Sequence, residues 1–330
     1  MTRRTLLLAV PMLGAASRLL AQAGRSALAV RALNHIAIAV SDKQRSMEFY
    51  QGLFGWPIQH TQGSTTGMRI GAGPQYITMS QGKPGFGHLC ITVEGFDVDR
   101  ITQVLSRHGV SRTENSDAGP MKAWVRMRTE ANGGAKGGTP EFYVNDPDGL
   151  RLQIQDLRYC GGPGILGEGC PSLPPRKSVL VVRDFQSFTL SVSNQERSAA
   201  FYQALFGMAV KGRHGTAQML GLGSGPQRLV IDGSGAAGAT PRIEHPCLVM
   251  DGFDPDEVQK ALSSFGVKPR GDVTGTPGPL MSWVRMRGEE PGGAIGGTPE
   301  LFFTDPDGLV IQLQDTSYCG GAGRLGNMCA

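Results

Sequence analysis

The feature that most limits what this chain can become is an internal repeat. Thr139-Pro140-Glu141-Phe142-Tyr143-Val144-Asn145-Asp146-Pro147-Asp148-Gly149-Leu150-Arg151-Leu152-Gln153-Ile154-Gln155-Asp156 returns, with seven of its eighteen residues changed, as Thr298 to Asp315. Asp-Pro-Asp-Gly has the residues of a type I turn, with Asp first, Pro at the second position and Gly at the fourth. The segment therefore reads as strand, tight turn, strand. After the turn Arg151, Gln153 and Gln155 alternate with Leu150, Leu152 and Ile154, and Val310, Gln312 and Gln314 alternate with Leu309, Ile311 and Leu313. A period of two puts one polar and one apolar face on the strand. A polar face kept in two copies must look into solvent or a ligand.

Other segments repeat in the same order. Leu33 to Val40 reads as a strand. Ser41-Asp42-Lys43-Gln44 follows as a capping-box pattern, then a helix carrying Met47, Tyr50 and Phe54 that stops at Gly55. The copy runs through Ser193-Asn194-Gln195-Glu196, Tyr202, Phe206 and Gly207. Short alternating runs broken by Gly and Pro between Trp56 and Ser80 suggest three strands. A second strand and helix begin at His88 and Val98, and further strands lie around Trp124 to Arg128, Glu141 to Asn145 and Leu150 to Asp156. The unit of strand, helix and three strands is used four times. Residues 31–160 and 183–319 form two homologous domains, 161–182 a Gly/Pro-rich linker and 320–330 a C-terminal tail.

Composition narrows the function classes. A chain of 330 residues, 40% hydrophobic and 18% charged, is long enough for two cores. Its net charge of +4 owes much to Arg3, Arg4 and Arg18, so the remainder is near neutral and carries no basic footprint for nucleic acid. Residues 1–23 run from an Arg-Arg pair through a modest apolar segment to Ala21-Gln22-Ala23, a small-x-small cleavage pattern. This segment resembles a twin-arginine export signal; an ordinary secretion signal is the alternative. It is too short for a membrane span. A periplasmic or secreted location follows. In such a compartment Cys160 with Cys170, and Cys319 with Cys329, each ten apart, read as one local disulfide per domain. Each bridge should mainly pin its domain's C-terminal tail. Cys90 and Cys247 read as buried free thiols inside strands.

Paired βαβββ modules, a His at the start of each first strand and Asp-Pro-Asp-Gly before the last strand resemble the vicinal oxygen chelate superfamily, which includes glyoxalase I, bleomycin-resistance proteins and extradiol dioxygenases. The resemblance implies an α+β fold in which each pair of modules forms a cup-shaped mixed sheet with helices outside. It also implies a divalent metal held inside the cup by His35, His88 and Gln153, with a weaker set of His245 and Gln312 in the second domain, where Ser187 takes the place of His35. Gln stands at 153 and 312 where Glu is usual. A bound Fe, Zn, Mn or Ni ion and no cofactor at all therefore remain equal alternatives. The first gives a metal-dependent lyase, isomerase or dioxygenase, and the second a metal-free binder of the bleomycin-resistance type; either takes a small-molecule ligand.

Trp124, Arg126 and Arg128 share one strand face, offering a stacking surface and a guanidinium if they line the cup, or covering a helix if they face outward. His60, His108 and His214 are expected on the surface or in loops. The loops 133–138 and 292–297 lack the strand-to-helix setting of a phosphate cradle and read as hairpin turns or mobile lips.

Overall fold

The computed structural model describes residues 27–174, 176–235, 238–271 and 275–329. The export signal expected over residues 1–23 lies outside them. The first half runs β1 (Val30–Val40), α1 (Lys43–Phe54), β2 (Ile58–Gln62), β3 (Thr65–Arg69), β4 (Tyr76–Gln81), β5 (Gly85–Val93), α2 (Val98–Arg107), β6 (Ser111–Arg112), β7 (Lys122–Arg128), β8 (Thr139–Asn145) and β9 (Arg151–Asp156). The second half repeats this as β10 (Val182–Ser191), α3 (Gln195–Phe206), β11 (Val210–His214), β12 (Ala217–Gly221), β13 (Arg228–Asp232), β14 (Arg242–Met250), α4 (Pro255–Ser264), β15 (Lys268–Pro269), β16 (Met281–Arg287), β17 (Thr298–Thr304) and β18 (Val310–Asp315). The four-fold unit is present, and the second module of each half adds a two-residue strand.

Each half is one nine-stranded mixed sheet, in the order β2-β3-β4-β1-β5-β9-β8-β7-β6, with the second half in the same order. The two module-opening strands, β1 and β5, sit side by side and antiparallel at the centre, while β1 pairs β4, and β5 pairs β9, in parallel. That arrangement brings the starts of both modules, and the last strand, to the middle of one sheet face.

The helices are held by local chemistry. Asp42 and Asn194 cap α1 and α3 by accepting from the amides of Arg45 and Arg197, so the cap falls one residue later than the capping-box pattern suggests. Gly55 and Gly207 close both helices in the left-handed conformation. One continuous hydrophobic cluster, from Leu28 to Leu313, fills the space behind both sheets. Phe49 and Phe54 of α1 pack against Phe303 of β17, 6.4 and 6.1 Å between ring centroids, so the core belongs to both halves.

The Asp-Pro-Asp-Gly turns join the halves. The Asp146 carboxylate caps its own turn, accepting from the amides of Asp148 and Leu150 at 2.8 Å, and accepts from the Tyr202 hydroxyl of α3 at 3.0 Å. Asp148 reaches the start of α3, accepting from the Ser193 amide and hydroxyl, the Ser198 hydroxyl at 2.6 Å and Arg197 at 2.6 Å. Asp305 and Asp307 do the same to Tyr50 and to Ser41, Arg45 and Ser46 of the first half. The carboxylate meets a helix N-terminus, where exposed amides and the dipole favour negative charge. The lead-in segments also cross over, with Leu28 donating to Leu205 and Leu180 to Leu53.

Both expected disulfides are formed, and Cys90 and Cys247 are buried free thiols. The loops that the bridges close, expected mainly to pin each domain's C-terminal tail, are also tied to the sheet. Arg128 donates to the Gly162 carbonyl and Thr139 to Gly164, as Arg287 does to Gly321 and Thr298 to Gly323. Residues 161–170, first read as linker, are therefore a closed loop on the wall of the first sheet. The loops 133–138 and 292–297 join β7 to β8 and β16 to β17, as hairpin connections do.

Candidate functional site

Strand register explains why distant residues meet. Trp124 on β7 faces Tyr143 on β8, Tyr143 faces Gln153 on β9, Gln153 faces Cys90 on β5, Cys90 faces His35 on β1, and His35 faces Tyr76 on β4. One rank of side chains thus crosses six strands. In the second half the same rank reads Trp283, Phe302, Gln312, Cys247, Ser187 and Arg228. Over each rank lies a cavity of about 340 Å³ in the first half and about 330 Å³ in the second.

The first cavity is lined by His35, His88, Gln153, Trp124, Arg126 and Arg151, among others. His35 Nε2 and His88 Nε2 face each other at 3.2 Å. The Asn34 side-chain oxygen sits 2.8 Å from His35 Nδ1; since that oxygen can only accept, the proton is on Nδ1 and the Nε2 lone pair points at His88. Tyr76 stacks on His35 at 4.3 Å. Burial first, then the charge of His88, holds the pKa of His35 well below its ordinary value. Burial, then Arg151 and Arg126, brings His88 to about 4. Both rings are neutral near pH 7, as metal ligation requires.

Gln153 is the third member, buried, its amide nitrogen without a hydrogen-bond partner. Two imidazole nitrogens 3.2 Å apart are close enough that one ion would be held by both. Among the described residues no cluster of three or more His, Cys, Asp or Glu is placed to hold a metal. The donor set is therefore two imidazoles and one amide: it fits a divalent ion, with the amide the weak member.

Beneath the cavity the fully buried Glu141 binds Arg126 through two contacts, Arg128 Nε at 2.8 Å and the Tyr159 hydroxyl at 2.9 Å. Burial alone would raise its pKa, but Arg126 and Arg128 outweigh that and lower it. Glu300 repeats the arrangement with Arg285, Arg287 and Tyr318, adding His214 Nε2 at 2.8 Å. A carboxylate tied up in this way in both halves is scaffold.

Of the sequence-derived site residues, His35, His88, Gln153, Trp124 and Arg126 come together around one cavity, whereas Arg128 is buried below it with Glu141. His245 and Gln312 meet in the second cavity beside Ser187, and His245 Nε2 is 3.4 Å from the Thr189 hydroxyl. Two expectations fail. His60 is buried in β2, its ring edge-on to Tyr76 at 4.6 Å. It fits because Gly67 and Gly161 lack side chains; a Cβ at either would lie 2.1 or 2.3 Å from the ring. His214 is on β11 and lines the second cavity. His108 ends α2 half-buried, Nδ1 2.9 Å from the Val104 carbonyl. Reasoning from sequence passed over Arg151, although the alternation after the turn had already put it on the face of Gln153.

A sheet built from paired modules, closed over a polar cavity with a histidine pair at its centre, defines a protein of the paired βαβββ cup class. The chain belongs to the Glyoxalase/Bleomycin resistance protein/Dioxygenase superfamily, whose family model matches residues 32–154 and 184–313. The glutathione transferase FosA of Serratia marcescens is 27% identical over 134 residues, which is 38% of this chain and 80% of that protein. Among solved structures, the Mn(II)-bound glyoxalase of Novosphingobium aromaticivorans superposes with a TM-score of 0.58 at 15% identity, over 87% of this chain and 82% of that one. A homoprotocatechuate 2,3-dioxygenase of Brevibacterium fuscum, in complex with 3,4-dihydroxyphenylacetate, gives 0.61 at 14% identity over 88% and 82%. Identities this low establish the shared fold.

Proposed function

We propose that the first domain holds one divalent metal ion through His35 and His88, with Gln153 as a weak third ligand, and uses it to bind a small molecule by two oxygens. The observation that carries this reading is the pair of neutral, inward-facing Nε2 atoms at 3.2 Å. When bound, such an ion polarises the oxygens it chelates. The chain's own residues do the rest: Asn34 fixes the His35 tautomer, Tyr76 holds the ring in place, and Trp124 with Tyr143 walls the ligand space. Titration of metal-free protein with Mn, Fe(II), Zn or Ni should give no more than one ion per chain. His35→Ala or His88→Ala should abolish uptake, and His245→Ala should not. Wild-type protein that takes up none of these ions would sink the reading.

Gln at both 153 and 312 supports a second reading, a metal-free small-molecule binder, which the same titration separates from the first. Among the described residues no carboxylate lines the first cavity, which speaks against a ring-cleaving two-His, one-carboxylate centre. The two disulfides fit an oxidising compartment. Among the described residues no helix is long and apolar enough to cross a membrane. We place the protein outside the cytoplasm, exported by the signal over residues 1–23. The mass of the mature chain tests this: cleavage after Ala23 is expected, and an intact Met1 on exported protein would contradict it.

A further inference from the structure

The two cavities match in size, in the stacked aromatic pair and in the buried Glu–Arg scaffold, so what separates them is a short set of substitutions. His35 against Ser187 is one. A second is Arg151, whose counterpart is Val310. Arg151 stands two residues before Gln153 on β9, hence on the same face and about 7 Å along the strand. Its guanidinium lies 5.0 Å over the Trp124 ring, which is itself stacked on Tyr143. One nitrogen donates to the Ser116 carbonyl at 2.6 Å, while its Nε is buried without a hydrogen-bond partner. Asp117 is 3.6 Å away and largely exposed, and a pair of that kind is screened by water.

Among the described residues no Asp or Glu lines the first cavity, whereas Asp232 joins Arg285 and Arg287 around the second. Glu141 is divided between Arg126 and Arg128, which leaves Arg151 at the wall with the exposed Asp117 as a weak counter-charge. A second positive charge beside a divalent ion is costly unless an anion sits between or against them.

We propose that the ligand of the first cavity carries an oxyanion in addition to the oxygens presented to His35 and His88, and that Arg151 is the specificity-determining residue that receives it. A carboxylate, phosphonate or phosphate fits, because a guanidinium meets planar or tetrahedral oxygens through paired N–H donors. A planar body between the two ends would lie along the Trp124–Tyr143 stack. The assignment rests on the metal reading for the ligand's other end, so the test has a metal-free arm.

In the first arm, protein loaded with Mn(II) is titrated with benzohydroxamate and with 4-carboxybenzohydroxamate, which share a bidentate head and differ by one carboxylate. In the second, metal-free protein is titrated with benzoate and its neutral counterpart benzamide. The carboxylate member should bind at least about tenfold more tightly in both arms. Arg151→Val, the residue of the second half, should erase the preference, Arg151→Lys should keep part of it, and neither should weaken uptake of Mn(II) alone. Equal binding of both members to the wild type, no binding of either pair in the metal-free arm, or a preference that survives Arg151→Val overturns the proposal. A protein that takes up no Mn(II) but keeps an Arg151-dependent preference for benzoate overturns the metal reading and leaves the oxyanion subsite standing.

Discussion

A single atom type at position 153 decides how firmly the first cavity can hold a metal. An amide oxygen is neutral, so the ion would keep its full charge against Arg151 and Arg126, and its affinity should rest on what the ligand brings. Gln153→Glu supplies the carboxylate that the position lacks. It should raise affinity for Mn(II) or Zn at least about tenfold in calorimetry. It should also weaken the preference for anionic ligands, because the new charge partly neutralises Arg151; unchanged metal affinity would show that residue 153 lies outside the ligand set. His60 allows a second test. Its pKa is lowered to about 4 by burial and then by Arg128, so the folded state disfavours its protonation. Stability that is full above the ordinary value of 6.5 is then lost as pH falls through about 4. The size is roughly 3 kcal/mol across that window. His60→Leu should flatten the acid limb of a urea-denaturation profile by about that amount, and an unchanged limb would refute the assignment. His35 and His88 were legible from sequence because each opens a repeated strand. The burial of His60 was not, because it depends on Gly67 and Gly161, brought together only by the fold.

At the scale of elements, the Asp-Pro-Asp-Gly turn was readable as a turn and unreadable as a joint. Its residues dictate local backbone: Asp146 caps the turn amides and Gly149 takes φ +82. What its second Asp touches, the start of a helix in the other half, leaves no trace at short range in the sequence. Asp148 has 2% of its side chain exposed and gathers four donors from residues 193–198. Asp148→Ala should therefore destabilise the protein by about 2–3 kcal/mol, since it removes several charge-assisted hydrogen bonds and a favourable charge at a helix N-terminus. Asp148→Asn should cost less. Denaturant titration is the measurement, and a loss under about 0.5 kcal/mol, the usual scatter for surface substitutions, would mean the joint contributes little. Asp307→Ala should behave alike, and the two losses should add, because the joints share no partners.

For the whole molecule, repeated turns, repeated helix starts and one continuous core imply that neither half is a self-sufficient body. The sequence divides at the Gly/Pro-rich stretch, and the eye takes the halves as beads on a string. The structure instead passes α1 against Phe303 and crosses both lead-in segments, so cutting the chain exposes core. The pseudo-symmetry supplies a remedy. Ser41, Arg45 and Ser46 stand to Asp307 as Ser193, Arg197 and Ser198 stand to Asp148. A first half expressed alone, residues 24–175, could therefore dock its own Asp148 against Ser41, Arg45 and Ser46 of a second copy. It should form a two-fold homodimer in which every joint of the natural chain is replaced by an equivalent one, as closed symmetric association favours. Light scattering coupled to size exclusion should give the mass of two half-chains, and Asp148→Ala in the half-chain should shift it toward monomer with loss of cooperative unfolding. A half-chain that is monomeric and unfolds as cooperatively as the intact protein would show that the shared core and the crossed turns are dispensable.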